Sequence, residues 1–132
     1  MPLVLVNSGE VEMLECALKD TSPEALTLIL YSNNVTLTES TVIGNLTECA
    51  IPGYAAKSLT RAGWGSAVSG DPSYIPYGTA QTFNFTGSGT VYGYALKGTT
   101  SGTLYWAEAI YPSGQAFNNG DSLTITPRFE LS

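Results

Sequence analysis

The feature that most constrains this chain is a two-residue alternation of apolar and polar side chains, repeated in short runs and interrupted by glycine and proline. Leu26, Leu28 and Leu30 share one face of an extended segment whose other face carries Thr27, Ile29 and Tyr31. Gln81, Phe83 and Phe85 alternate with Thr82, Asn84 and Thr86, and Gly87-Ser88-Gly89 then turns the chain. Val91, Gly93 and Ala95 alternate with Tyr92, Tyr94 and Leu96. After a Gly98–Gly102 loop, Leu104, Trp106 and Ile110 alternate with Tyr105, Ala107 and Ala109. The last run sets Leu123, Ile125, Phe129 and Leu131 against Thr124, Thr126, Arg128 and Glu130, with Pro127 costing it one ladder donor. Alternation at this period buries one face of a strand, and many short strands separated by turns build a sandwich or barrel. The prediction is an all-β fold, an antiparallel β-sandwich of jelly-roll type over residues 21–132, with one short N-terminal helix.

The first twenty residues follow a different rule. Val11, Leu14 and Leu18 recur at helical spacing among Glu10, Glu12, Glu15, Lys19 and Asp20. Asn7 or Ser8 can cap the start, and Glu15 and Lys19 form an i,i+4 pair in the favourable order. This predicts an amphipathic helix over residues 8–20 that buries its Val11-Leu14-Leu18 stripe and is followed by a break at Thr21-Ser22-Pro23-Glu24. Cys16 falls off that stripe. Residues 1–7, with the apolar run Leu3-Val4-Leu5-Val6, lie outside both helix and sandwich and read as an N-terminal arm.

Charge narrows the range of functions. Five basic residues face eleven acidic ones, a formal net charge of -6. Nucleic-acid binding, which needs a cationic footprint, is not expected. Histidine is absent, which removes the commonest general base and metal ligand. The opening residues carry no basic region and too short an apolar run for a signal peptide or membrane span. Cys16 and Cys49 are therefore expected as free thiols of a chain made in a reducing cytoplasm. The Asn-x-Thr triplets at Asn34, Asn45 and Asn84 read as chance matches in a threonine-rich chain.

No constellation of residues predicts catalysis, a metal or a cofactor. A cysteine nucleophile lacks an imidazole partner. Among the carboxylates Glu39, Glu48, Asp71, Glu108, Asp121 and Glu130, Glu108 stands out because it shares a strand face with Leu104, Trp106 and Ile110. Its expected role is structural, paired with a partner such as Arg61 or Arg128 or exposed on an edge at an interface; a carboxylate glycosidase built on it is the least favoured reading. Asn118-Asn119-Gly120-Asp121 fits a tight turn better than a calcium loop. Trp64, Trp106 and the eight tyrosines can fill a core, stack on sugars or line a protein interface.

Several segments together resemble a family of small structural proteins of tailed bacteriophages. They are Leu26-Thr27-Leu28-Ile29-Leu30-Tyr31-Ser32-Asn33, Gly53-Tyr54-Ala55-Ala56-Lys57-Ser58-Leu59, Trp64, Thr82-Phe83-Asn84-Phe85-Thr86-Gly87, Val91-Tyr92-Gly93-Tyr94, and Ser101-Gly102-Thr103-Leu104-Tyr105-Trp106-Ala107-Glu108. The resemblance covers most of the chain and implies a virion component, made in the host cytoplasm, that decorates or cements the phage head. A tail or baseplate component, such as a carbohydrate- or receptor-binding module, is the alternative. The resemblance supplies no catalytic residue.

A head decoration protein has the major capsid protein and copies of itself as partners, with a trimer expected at lattice three-folds and neither nucleic acid nor membrane involved. The expected interface residues are Leu3, Val4, Leu5 and Val6, adding as a strand to a neighbour, together with Trp64, Tyr74 and Tyr77. These three aromatics sit in Gly/Pro-rich segments where burial within one small sandwich is hard to complete.

Overall fold

A six-residue strand, Leu26–Tyr31, sits near the centre of the fold and is buried on both faces. In the computed structural model, which describes residues 3–19 and 24–131, it is β2 of eleven strands. Before it come β1 (Val4–Leu5) and the helix α1 (Asn7–Leu18). After it come β3 (Lys57–Leu59), β4 (Ser73–Pro76), β5 (Gln81–Asn84), β6 (Gly89–Val91) and β7 (Gly93–Gly98). The chain finishes with β8 (Leu104–Glu108), β9 (Gln115–Phe117), β10 (Ser122–Ile125) and β11 (Arg128–Leu131).

Five strands form one antiparallel sheet in the order β1-β8-β7-β2-β3. Three two-stranded antiparallel ribbons, β10-β5, β11-β4 and β6-β9, supply the opposing side. Leu28, Leu30, Leu96 and Trp106 of the sheet meet Phe83, Val91, Phe117, Leu123, Ile125 and Phe129 of the ribbons in the main core. The other face of the sheet is also covered: Ile29, Ala95, Leu104 and Ala107 pack with Val6 beneath Leu37, Ile43 and Leu46. This is the all-β sandwich that the alternation predicts, with one helix. Each fully buried aliphatic side chain contributes about 1.5–3 kcal/mol of transfer free energy.

Three local expectations change. The last run is two strands, because Pro127 ends β10 and its carbonyl accepts from the Tyr77 N–H (2.8 Å) before β11 joins a different ribbon. The run at Val91–Leu96 likewise divides at Tyr92, whose N–H donates to the Tyr31 carbonyl (2.9 Å). The third concerns the N-terminal segment. Val4 and Leu5 pair with Ala107 and Trp106 of β8, and Val6 is fully buried. Leu3, Val4 and Leu5 pack against the chain's own cores. The expectation of an arm without a pairing partner in its own domain is corrected: the edge of β8 is that partner.

The helix begins at Asn7 rather than Ser8, and neither residue caps it; Val6 precedes it, and Ser8 Oγ donates instead to the Leu104 carbonyl (2.8 Å). The helix ends at Leu18, with Lys19 as its C-cap; Asp20 and the Thr21, Ser22 and Pro23 of the expected break lie outside the described residues.

Candidate interaction site

The site begins with an extra residue in β8. Leu96 pairs with Trp106 and the next residue of β7, Lys97, pairs with Leu104, so Tyr105 is left over as a β-bulge. A bulge turns two consecutive side chains to the same side. Tyr105 and Trp106 accordingly both join the main core, while Leu104 and Ala107 face the other way. Leu104 and Trp106 therefore do not share a face, contrary to the plain alternation, and Glu108 does not belong to one continuous apolar row.

α1 lies across this bulge. The Val6 N–H donates to the Tyr105 carbonyl (3.2 Å), and Gly9 sits against that same carbonyl with no space for a Cβ. The helix turns Gly9, Met13 and Cys16 inward. Its outward face carries the predicted apolar stripe. Val11 is 54% exposed, Leu14 60% and Leu18 80%. The stripe expected to be buried is the solvent face of the helix, bordered by Glu10 and by Glu15, which holds Lys19 at 3.3 Å.

Between α1, the sheet and the β4-β11 ribbon runs a groove of about 450 Å³. Its aromatic wall is Trp64, Tyr105, Trp106 and Phe129; Met13, Leu26 and Ile75 complete the apolar surface. The ring centres of Trp64 and Trp106 lie 6.2 Å apart at 63°, and those of Trp106 and Phe129 4.5 Å apart at 37°. Trp106 Nε1 is buried and has no hydrogen-bond partner among the described residues.

Four polar groups touch the groove: Glu12, Cys16, Glu24 and Arg61. Glu24 accepts from the backbone N–H groups of Thr100 (2.9 Å) and Ser101 (3.0 Å) and from the Tyr105 hydroxyl (3.4 Å). Burial pushes its carboxyl up, but the bonds from Ser101, Thr100 and Tyr105 outweigh that and hold it below the usual carboxylate value. The Tyr105 phenol is pushed up, by burial first and then by the charges of Glu24 and Glu12. Among the described residues neither Glu12 nor Arg61 makes a salt bridge.

The expected contact residues divide. Trp64 is half-buried, lines the groove and packs edge-on against Tyr77 at 5.2 Å. Tyr77 is 7% exposed; its hydroxyl accepts from the Thr60 N–H (3.1 Å) and its ring lies on Gly63. Tyr77 is thus a core residue, and its place in an interface is corrected: Gly63, lacking a Cβ, lets the ring close onto the backbone. Tyr74 is half-buried beneath the Arg128 guanidinium, 3.7 Å from the ring centre. Leu3, Val4, Leu5 and Val6 belong to the chain's own sheet and core, as described above.

Glu108 is half-buried at the end of β8 opposite Tyr94. Burial and then its charge push the Tyr94 phenol up, and together they bring Tyr31 to about 12. Of the partners expected for it, Arg128 pairs with Glu130 (2.8 Å) and Arg61 lines the groove. Asn119-Gly120 makes the expected turn, with Gly120 at φ 93° and Asp121 accepting from the Asn118 N–H (2.7 Å). Among the described residues no three of Cys, Asp or Glu come together as a metal site. Among the described residues no helix is long and apolar enough to cross a membrane. Cys16 and Cys49 are free thiols.

The groove was hidden from the sequence because its construction depends on the bulge. The one trace of it is that Cys16 follows Glu12 by four residues and Met13 by three, which puts the three within one broad face of a helix. No protein-family model matches the chain, and no curated protein matches its sequence.

Proposed function

We propose that this chain is a virion structural protein that decorates a tailed-phage head, docking on the major capsid protein through the outer face of α1. The observation carrying this reading is the exposed Val11-Leu14-Leu18 stripe. Its i, i+3, i+7 spacing is the pattern by which a helix inserts into an apolar groove of a partner. The helix is already seated on β8 through Ser8 and Gly9, so presenting the stripe requires no rearrangement. Glu10 and Glu15 beside the stripe, in a chain of net charge -6, call for a groove edged by basic residues. The docking role expected of residues 3–6 passes to α1, because those residues are held in the chain's own sheet.

The resemblance of the strand segments to small phage structural proteins supports the same reading. Trimeric arrangement at a lattice three-fold remains part of the proposal on symmetry grounds alone. The test is a Leu14→Asp/Leu18→Asp double variant, added back to particles that lack the protein. The expected result is a folded domain whose occupancy on heads falls more than tenfold, since central apolar anchors are worth over about 1 kcal/mol each. Unchanged occupancy overturns docking through α1. An electron cryo-microscopy map placing the chain on the tail overturns the head assignment in favour of the tail alternative.

A further inference from the structure

We propose that the groove beneath α1 is a binding site for a small organic cation, an alkylated ammonium carried on a compact apolar body. Its volume of about 450 Å³ lies within the range of small-molecule sites. Trp64 and Trp106 meet at 63°, so two non-parallel indoles border one space, and Tyr105 and Phe129 extend the wall. Aromatic faces attract cations through their quadrupoles, and alkylated ammonium groups gain most because they shed little hydration.

Charge selects the sign. Two carboxylates, Glu12 and Glu24, stand against the single guanidinium of Arg61. Glu24 is kept ionised by its hydrogen bonds to the 100–101 loop, and Glu12 has no salt-bridge partner among the described residues. Both carboxylates also lie close enough to Tyr105 to add, after burial, to the upward push on its phenol. A sugar is disfavoured at the same place, because Met13, Leu26 and Ile75 would face its hydroxyls without offering them partners.

The chain carries its own reporters. Both of its tryptophans line the groove, as does Cys16, while Cys49 is 4% exposed and away from it. Benzyltrimethylammonium, titrated into the full-length protein at millimolar concentration, should shift both indole N–H resonances and slow alkylation of Cys16 but not of Cys49. Phenylmethanesulfonate, of similar body and opposite charge, should bind more weakly. Glu12→Gln should weaken the cation about threefold and Arg61→Gln should strengthen it by a similar factor, the scale of a partly exposed charge contact. Met13→Trp, which fills the groove, should abolish both signals with the fold retained by circular dichroism. Leu14→Asp/Leu18→Asp should leave them unchanged, which separates this site from capsid docking. Equal or tighter binding of the sulfonate, indole shifts that survive Met13→Trp, or no shift with the cation at all overturns the proposal.

Discussion

Gly9 lies against the backbone of Tyr105 so closely that a Cβ on it would stand 2.7 Å from the Tyr105 Cα. Helix and bulge are therefore in direct main-chain contact. Gly9→Ala tests it. Alanine favours an isolated helix by about 1 kcal/mol over glycine, but here the added methyl forces the helix off β8. The expected net result is a loss of about 1–3 kcal/mol in urea unfolding, the range of an overpacked core. A stabilised variant would mean that the helix is not pinned at this point.

Glu24 gives the pH dependence a sign. Its carboxyl is held below its ordinary value of 4.5, so the native state prefers the ionised form. The stabilisation is complete above that ordinary value and is lost as pH falls through the lower folded-state value. Glu24→Gln should therefore lower Tm at neutral pH, and the gap from the unmodified protein should close steadily below about pH 4.5. Parallel Tm curves across that window would refute the assignment.

Trp64 and Tyr77 support each other, which changes what their removal does. Trp64→Ala should destabilise the isolated domain by about 2 kcal/mol, less than a fully buried tryptophan because one side borders the groove. Tyr77→Phe should cost about 1 kcal/mol or more by leaving the Thr60 N–H without its acceptor. Chemical denaturation of both variants checks this; unchanged stability in both would return the pair to the surface.

The thiols should separate kinetically. Cys16 borders the groove, whereas burial pushes the Cys49 thiol up and closes it to reagent. Native protein should titrate one thiol quickly and the second only on unfolding, where both react. Two equally fast thiols in the native state would contradict the placement of Cys49.

The strands were largely legible because each alternation is local. Leu26–Tyr31 and Gln81–Asn84 announce themselves within a few residues, and Asn119-Gly120 announces its turn. The helix was legible as a helix, yet its buried face was not. The Val11-Leu14-Leu18 stripe is the more apolar side, but Ser8, Gly9 and Cys16 are small enough to approach a backbone closely. That steric fit, invisible to hydrophobic spacing, chose the face. The bulge at Tyr105 was equally hidden, since Leu104-Tyr105-Trp106-Ala107 is apolar throughout and any register suits its composition. Leu3–Val6 read as a strand with no partner because its partner lies a hundred residues away.

That separation bears on how the chain acquires its structure. Val4 and Leu5 cannot pair until Trp106 and Ala107 have been made, about 5–20 s later at ordinary rates of synthesis. For that interval the apolar segment and the underside of α1 have nothing to rest on, while β2 already has β3 to pair with. Closure of the sheet edge is a late, long-range event of the kind that slows folding. Val4 and Leu5, made about a hundred residues before their partners, are thus among the last to find their place. A nascent chain stalled before residue 104 should expose them to a chaperone or a protease.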